Sequence, residues 1–199
     1  MSKLLLASKN PGKLREMKAL LEGVNVDLVS PAELGLDLVI KEEGSTYAEN
    51  AAHKALVYAE RSGLVALADD SGLEVDALDG APGLYSARYA PQPGATDADR
   101  RAYLLQQIRG NPRPWTARFR CTIAVATPSA EVHCREGICP GEIIPEERGH
   151  GGFGYDPIFL IPELGRTMAE LDLDEKNRLS HRAQAVQAAI PLLRKLIDL

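Results

Sequence analysis

The first 29 residues constrain the fold more than any other stretch. Residues 3–7, apolar after Lys3, have the composition of a short buried strand, and residues 11–22 place Leu14, Met17, Leu20 and Leu21 on one face of a helix. Asn10 suits the N-cap, Pro11 the first helical position and Gly23 the stop, while residues 24–29 supply a second strand. Strand, helix, strand is the opening of an α/β protein.

The remaining chain keeps this character. Thr46 followed by Glu49 announces a helix carrying Ala51, Ala52, Ala55, Leu56 and Ala59 and ending at Gly63. Residues 64–68 are apolar and Leu73, Val75 and Ala77 alternate with polar neighbours, so Asp69, Asp70, Ser71 and Gly72 are expected between two strand segments. Thr96 and Asp99 cap a helix that ends near Gly110, and residues 119–126, 131–138 and 155–161 read as strands. Thr167 with Glu170 caps a short helix; Ser180 opens a last one, with Val186, Ala189, Ile190, Leu193 and Ile197 inward and a kink expected at Pro191. No repeat, low-complexity tract or linker interrupts the 199 residues, which predicts one mixed-sheet α/β domain.

Composition narrows the partners. With 45% hydrophobic and 26% charged residues the chain has material for a core and no bias toward disorder. A net charge of −5 argues against a basic face for nucleic acid, so an anionic ligand should meet a local cluster of positive charge. Cys121, Cys134 and Cys139 match no zinc spacing and read as small buried thiols of a reducing compartment. The N-terminal apolar run is too short for a signal core or a membrane span, so a cytoplasmic protein without a membrane partner is expected.

Four segments carry candidate chemistry. Ser8, Lys9, Asn10, Pro11, Gly12 and Lys13 join the first strand to its helix, where backbone N–H groups and a lysine favour phosphate, although Asn10 is equally a plain cap. Asp69 and Asp70 are adjacent carboxylates after an apolar strand; neighbouring side chains of an extended chain point to opposite sides, so one of the pair should face a ligand while the other braces the chain. Glu42 and Glu43 add hard oxygen ligands of the kind Mg²⁺ takes, or else sit in a solvated loop, and Lys54 lies on the helix that follows. Phe153, Gly154, Tyr155 and Asp156 lie in a glycine-rich stretch able to stack on a base, and Lys176, His181 and Arg182 are donors for an acceptor such as a purine carbonyl. Each is ambiguous alone; together they make a nucleotide site.

These residues resemble the inosine triphosphate pyrophosphatase family, whose members act on dITP and XTP. The resemblance lies in LASKNPGKLREM, EEGSTYAENAAHKA, ALADDSGLEVDALDGAPGLYSARYA, GGFGYDPIF and EKNRLSHRAQA, five blocks in family order over nearly the whole chain. It implies a long twisted mixed sheet flanked by helices, two lobes around a substrate cleft, a homodimer, and Mg²⁺-dependent hydrolysis of a nucleoside triphosphate to monophosphate and pyrophosphate. It further implies ITP, dITP and XTP as substrates and cleansing of the nucleotide pool as the role. By the same resemblance Ser8 to Lys13 hold the triphosphate, Asp70 is the base and a metal contact, and Ser71 touches substrate. Asp69 and Lys54 support metal and phosphate, residues 153–156 line the base pocket, Lys176 contacts the nucleotide, and His181 with Arg182 read a 6-keto purine. The chain departs from the pattern ahead of the second helix, where the two acidic positions fall on Lys41 and Glu42, and at Ser8, where threonine is common. A haloacid dehalogenase phosphatase would need its aspartates two residues apart, which Asp69 and Asp70 are not. A nucleotide-binding regulator without turnover would not need Asp70, and the Ser180-His181-Arg182 block speaks against a pyrimidine-directed relative.

Overall fold

The computed structural model describes residues 2–197. In chain order they form β1 (Lys3–Leu6), α1 (Pro11–Leu20), β2 (Asp27–Val29), α2 (Tyr47–Ser62), β3 (Val65–Val75), α3 (Asp97–Ile108), β4 (Trp115–Ala126), β5 (Val132–Ile143), β6 (Phe159–Ile161), β7 (Arg166–Thr167), α4 (Leu173–Leu179) and α5 (His181–Leu196). The strands make one seven-stranded mixed sheet in the order β2-β1-β3-β4-β5-β6-β7. β1 runs parallel to β2 and β3, as buried strands linked by helical crossovers do, whereas β6 is antiparallel to both β5 and β7.

The chain gathers into two compact units, Met1–Asp70 with Cys121–Gly137 and His181–Leu199, and Ser71–Arg120 with Ile138–Ser180. The first is layered, and strand parity builds the layers. Leu4, Leu6, Leu67, Ile123 and Val125 face one way and meet Met17 of α1, Leu21 at its C-cap, and Val186, Ala189 and Leu193 of α5. Leu5, Ala7, Ala66, Ala68, Ala124 and Ala126 face the other way and meet the alanines of α2. The second unit has a single core in which Leu104 and Ile108 of α3 pack with Leu73, Val75, Trp115, Phe119 and Phe159, the two phenylalanine rings 4.3 Å apart.

Several elements differ from the sequence expectation. β3 runs unbroken through Asp69–Gly72, which is therefore strand and not a turn between two segments. β4 begins at Trp115, and β5 continues to Ile143 because Glu142 and Ile143 pair with β6. Only residues 159–161 of the expected strand 155–161 are extended; Pro157 helps wind Asp156–Ile158 into a 3-10 turn. Lys176 lies in α4, a helix capped by Asp172 and Glu175 that periodicity did not reveal. α5 runs on past Pro191 to Leu196. None of the described helices is long and apolar enough to cross a membrane.

Candidate active site

In the first unit, the alternation that layers the core also separates the two aspartates. Asp69 shares the parity of Leu67 and turns toward α1 and α5; Asp70 shares that of Ala68 and turns toward α2. Both are buried. Asp69 Oδ2 accepts from Arg182 Nη2 at 3.0 Å and lies 3.1 Å from Lys13 Nζ, while Arg182 Nη1 donates to Glu16. Burial works against the Asp69 charge, yet Lys13, Arg182 and Lys54 outweigh it and hold its carboxyl well below the usual carboxylate range. Arg182 is 1% exposed, so the first turn of α5 contributes a guanidinium bound into this cluster.

On the α2 side, Asn50 Nδ2 donates to Asp70 Oδ2 at 2.9 Å. Burial pushes the Asp70 carboxyl up; the Asn50 bond opposes the rise and the charge of Glu42 adds to it. Lys54, one helical turn beyond Asn50, bonds Glu42 and donates to the Asp69 carbonyl at 3.1 Å. Its own burial opposes its charge, but Asp69, Glu42 and Asp70 prevail and its pKa is raised. Lys41 and Glu43 pair with each other at 3.6 Å on the exposed surface, so Glu42 alone of that run turns inward. Glu42 and Asp70 are the two carboxylates on this side whose charges act on Lys54, and they could hold a hard cation. Among the described residues no group of three or more His, Cys, Asp or Glu is assembled for a metal. A donor set of one or two carboxylates completed by water and phosphate oxygens is the coordination Mg²⁺ accepts.

The Ser8–Lys13 loop behaves first as a cap. Asn10 Oδ1 accepts from Gly12 N at 2.9 Å and Lys13 N at 3.1 Å, and Ser8 Oγ accepts from Asn10 N at 3.2 Å, so Pro11 starts the helix with its amides engaged. Lys9 forms a surface pair with Asp37 at 2.5 Å. The expected local positive charge is present but paired. Lys13, Lys54 and Arg182 are set against Glu16, Glu42, Asp69 and Asp70, three cations to four carboxylates. Cys121, buried beside them, has its thiol pushed up to about 12 by burial, with the Asp69 charge adding, and stays protonated.

In the second unit the glycine-rich loop is organised by one buried ion pair. Asp156 Oδ2 accepts from Lys176 Nζ at 2.6 Å and from Phe153 N at 2.9 Å. Lys176 Nζ stands 5.3 Å from the centre of the half-buried Phe153 ring, within cation–π range. Gly152 has φ +72, and a Cβ there would lie 1.9 Å from Asp156 Oδ2, so any other residue would be strained and would displace the carboxylate that Lys176 holds. Tyr155 donates its hydroxyl to the Ser86 carbonyl at 2.9 Å. Ser71, half-buried, follows Asp70 on β3.

The first unit therefore brings together Ser8, Asn10, Lys13, Glu42, Lys54, Asp69, Asp70 and Arg182, with His181 buried beside Arg182 in the chain; the second brings together Phe153, Gly154, Tyr155, Asp156 and Lys176. Sequence reasoning missed Glu16 and Asn50. Both left a signal: Glu16 adjoins Met17 on the inner face of α1, and Asn50 lies between Tyr47 and Ala51 on the buried face of α2. A polar side chain on an apolar helical face needs a partner.

Comparison with known proteins identifies the relatives of this chain. The sequence model of the Ham1 family matches residues 4–192. The chain is 49% identical over 195 residues to the dITP/XTP pyrophosphatase of Desulforamulus reducens, covering 98% of this chain and 96% of that one. It is 48% identical to the dITP/XTP pyrophosphatase of Thermus thermophilus, covering 94% and 90%. The solved structure of a HAM1 protein from Coxiella burnetii superposes with a TM-score of 0.88 at 42% identity, covering 98% of this chain and 100% of that one.

Proposed function

This chain belongs to the Ham1 family, and from that premise we propose that it hydrolyses non-standard purine nucleoside triphosphates, ITP, dITP and XTP, to the monophosphate and pyrophosphate. The observation that carries the reading is the division of labour between the paired aspartates. Asp69 is kept ionised by Lys13 and Arg182 on one side of the strand, while Asp70, whose pKa burial raises, faces the α2 side and serves as the general base. Asp70 takes the proton of the attacking water; Asn50 fixes the rotamer of its carboxyl; Lys13 and Lys54 meet the charge growing on the phosphate oxygens.

Three cations against four carboxylates cannot by themselves receive a triphosphate. That balance supports Mg²⁺ as cofactor, held by Glu42 and Asp70, with Asp69 contributing through Lys13 and Lys54. When bound, Mg²⁺ neutralises phosphate charge and polarises the phosphoryl oxygens. In the second unit, Phe153 stacks on the purine and Lys176, kept in place by Asp156, contacts the nucleotide. The family resemblance gives His181 and Arg182 the reading of an acceptor at the purine 6-position; Nε, Nη1 and Nη2 of Arg182 are engaged by Asp69 and Glu16, so that donor role rests with His181, and an adenine amino group would leave it unpaired at a cost on the order of 10⁴-fold. A cytoplasmic homodimer that cleanses the nucleotide pool completes the reading, on the strength of the family resemblance.

Pyrophosphate release from dITP, dATP and dGTP with Mg²⁺ tests it. Turnover of dITP should exceed the other two by orders of magnitude and stop when EDTA removes the metal; an even profile would sink the substrate assignment.

A further inference from the structure

The proposed chemistry gives α3 no part, yet two of its side chains hold the backbone of the glycine-rich loop. Asp97 and Arg101 are four residues apart and so share one face of the helix. Gly154 N donates to Asp97 Oδ2 at 2.7 Å, and Arg101 Nη1 donates to the Gly154 carbonyl at 2.8 Å. The amide and the carbonyl of one residue are thus gripped by an acceptor and a donor from a single helical turn.

Neither side chain is free to swing. Arg101 forks onto Glu147, Nε to Oε1 at 2.8 Å and Nη2 to Oε2 at 2.9 Å, and is 12% exposed. Arg100 bonds the other oxygen of Asp97 and donates to the Ala95 carbonyl at 2.6 Å. Burial opposes the Asp97 charge, but the Arg100 and Gly154 bonds outweigh it and hold the carboxyl below its ordinary value. α3 is itself anchored, by the Thr96 and Asp99 capping box at its start and by Leu104 and Ile108 in the core.

The gripped residue is a left-handed glycine at the turn of the loop. Gly154 has φ +63 with open space where a Cβ would stand, so glycine serves the turn there and not a close approach. It lies between Phe153, tied through its amide to Asp156, and Tyr155, tied through its hydroxyl to Ser86. A peptide fixed on both sides and gripped in the middle sets where the Cα of Phe153 stands, and Lys176 Nζ over the ring face favours one plane for the ring.

We infer that Asp97 and Arg101 are positioning residues that set the plane in which Phe153 meets a purine, and through it the affinity for the base. This deepens the function proposed above and rests on it. Arg101→Gln and Asp97→Ala should each raise KM for dITP about tenfold while kcat stays within about twofold, the pattern of lost uniform binding. The inhibition constant of inorganic pyrophosphate, which carries no base, should not move. Asp97→Asn, whose amide oxygen still accepts the Gly154 bond, should recover most of the loss. An unmoved KM in both variants, or a pyrophosphate constant that rises in step with KM, would overturn the inference. Should the wild-type enzyme leave dITP intact, it is the substrate reading that fails, and hydrogen exchange at Gly154 then judges the grip. An amide that exchanges at least about tenfold faster in Asp97→Ala supports it, and equal protection in both proteins refutes it.

Discussion

The two units hold their candidate site residues by different physics. The first is governed by charge: buried carboxylates stand on a central strand, and each is matched to a cation or an amide from a helix on its own side of the sheet. The second is governed by backbone: one ion pair, Lys176 with Asp156, and one helix face fix a glycine-rich loop that carries a half-buried aromatic ring. The difference teaches where each kind of selectivity can reside. On the proposed function, charge balance serves reaction and recognition of phosphate, which every nucleoside triphosphate carries, whereas loop geometry serves recognition of the base.

Substitutions confined to one unit can break that contrast. The largest effect is expected at Asp70: Asp70→Asn should lower kcat for dITP on the order of 10³-fold, the loss typical of a general base, while nucleotide binding stays measurable by calorimetry. Full activity in that variant would remove Asp70 from the chemistry.

Arg182→Met comes next, and acts on stability. It leaves Glu16 and Asp69 buried without their guanidinium and should cost about 3–5 kcal/mol in urea unfolding at neutral pH. The pH dependence has a definite sign. The folded pKa of Asp69 lies below its ordinary value of 3.8, so the stability it contributes is present above that pH and is lost as the pH falls below it. The acid loss should therefore be shallower in Arg182→Met than in the wild type; parallel curves would show that Arg182 does not govern the Asp69 charge.

The smallest effect belongs to the second unit. Phe153→Leu should raise KM for dITP about tenfold through lost stacking. Its urea midpoint and the inhibition constant of pyrophosphate should stay near those of the wild type. A matching fall in pyrophosphate affinity would mean that the loop serves phosphate as well as base and would blur the division between the units.

Much of this arrangement was legible in the chain. The Asn10 cap, the Thr46 and Thr96 helix starts and the apolar runs of β1 and β3 follow from local rules, and the period of two already put Asp69 and Asp70 on opposite sides. Lys54 and Lys176 were harder. A lone lysine on a helix is usually a surface residue, and each is drawn inward here by a carboxylate, Glu42 or Asp156, that lies at least twelve residues away. The same holds for the Asp69–Gly72 segment, which looks like a turn because two adjacent carboxylates are costly to bury.

By itself the sequence determined the α/β alternation, the helix caps, the parity of the paired aspartates and membership of a family, because each depends on residues close together or on motifs in order. Which charges are buried was decided only by the tertiary structure. Arg182 reaches Asp69 across 113 positions and Glu16 across 166, and until the fold brings such partners together every one of those charges, taken alone, belongs in water.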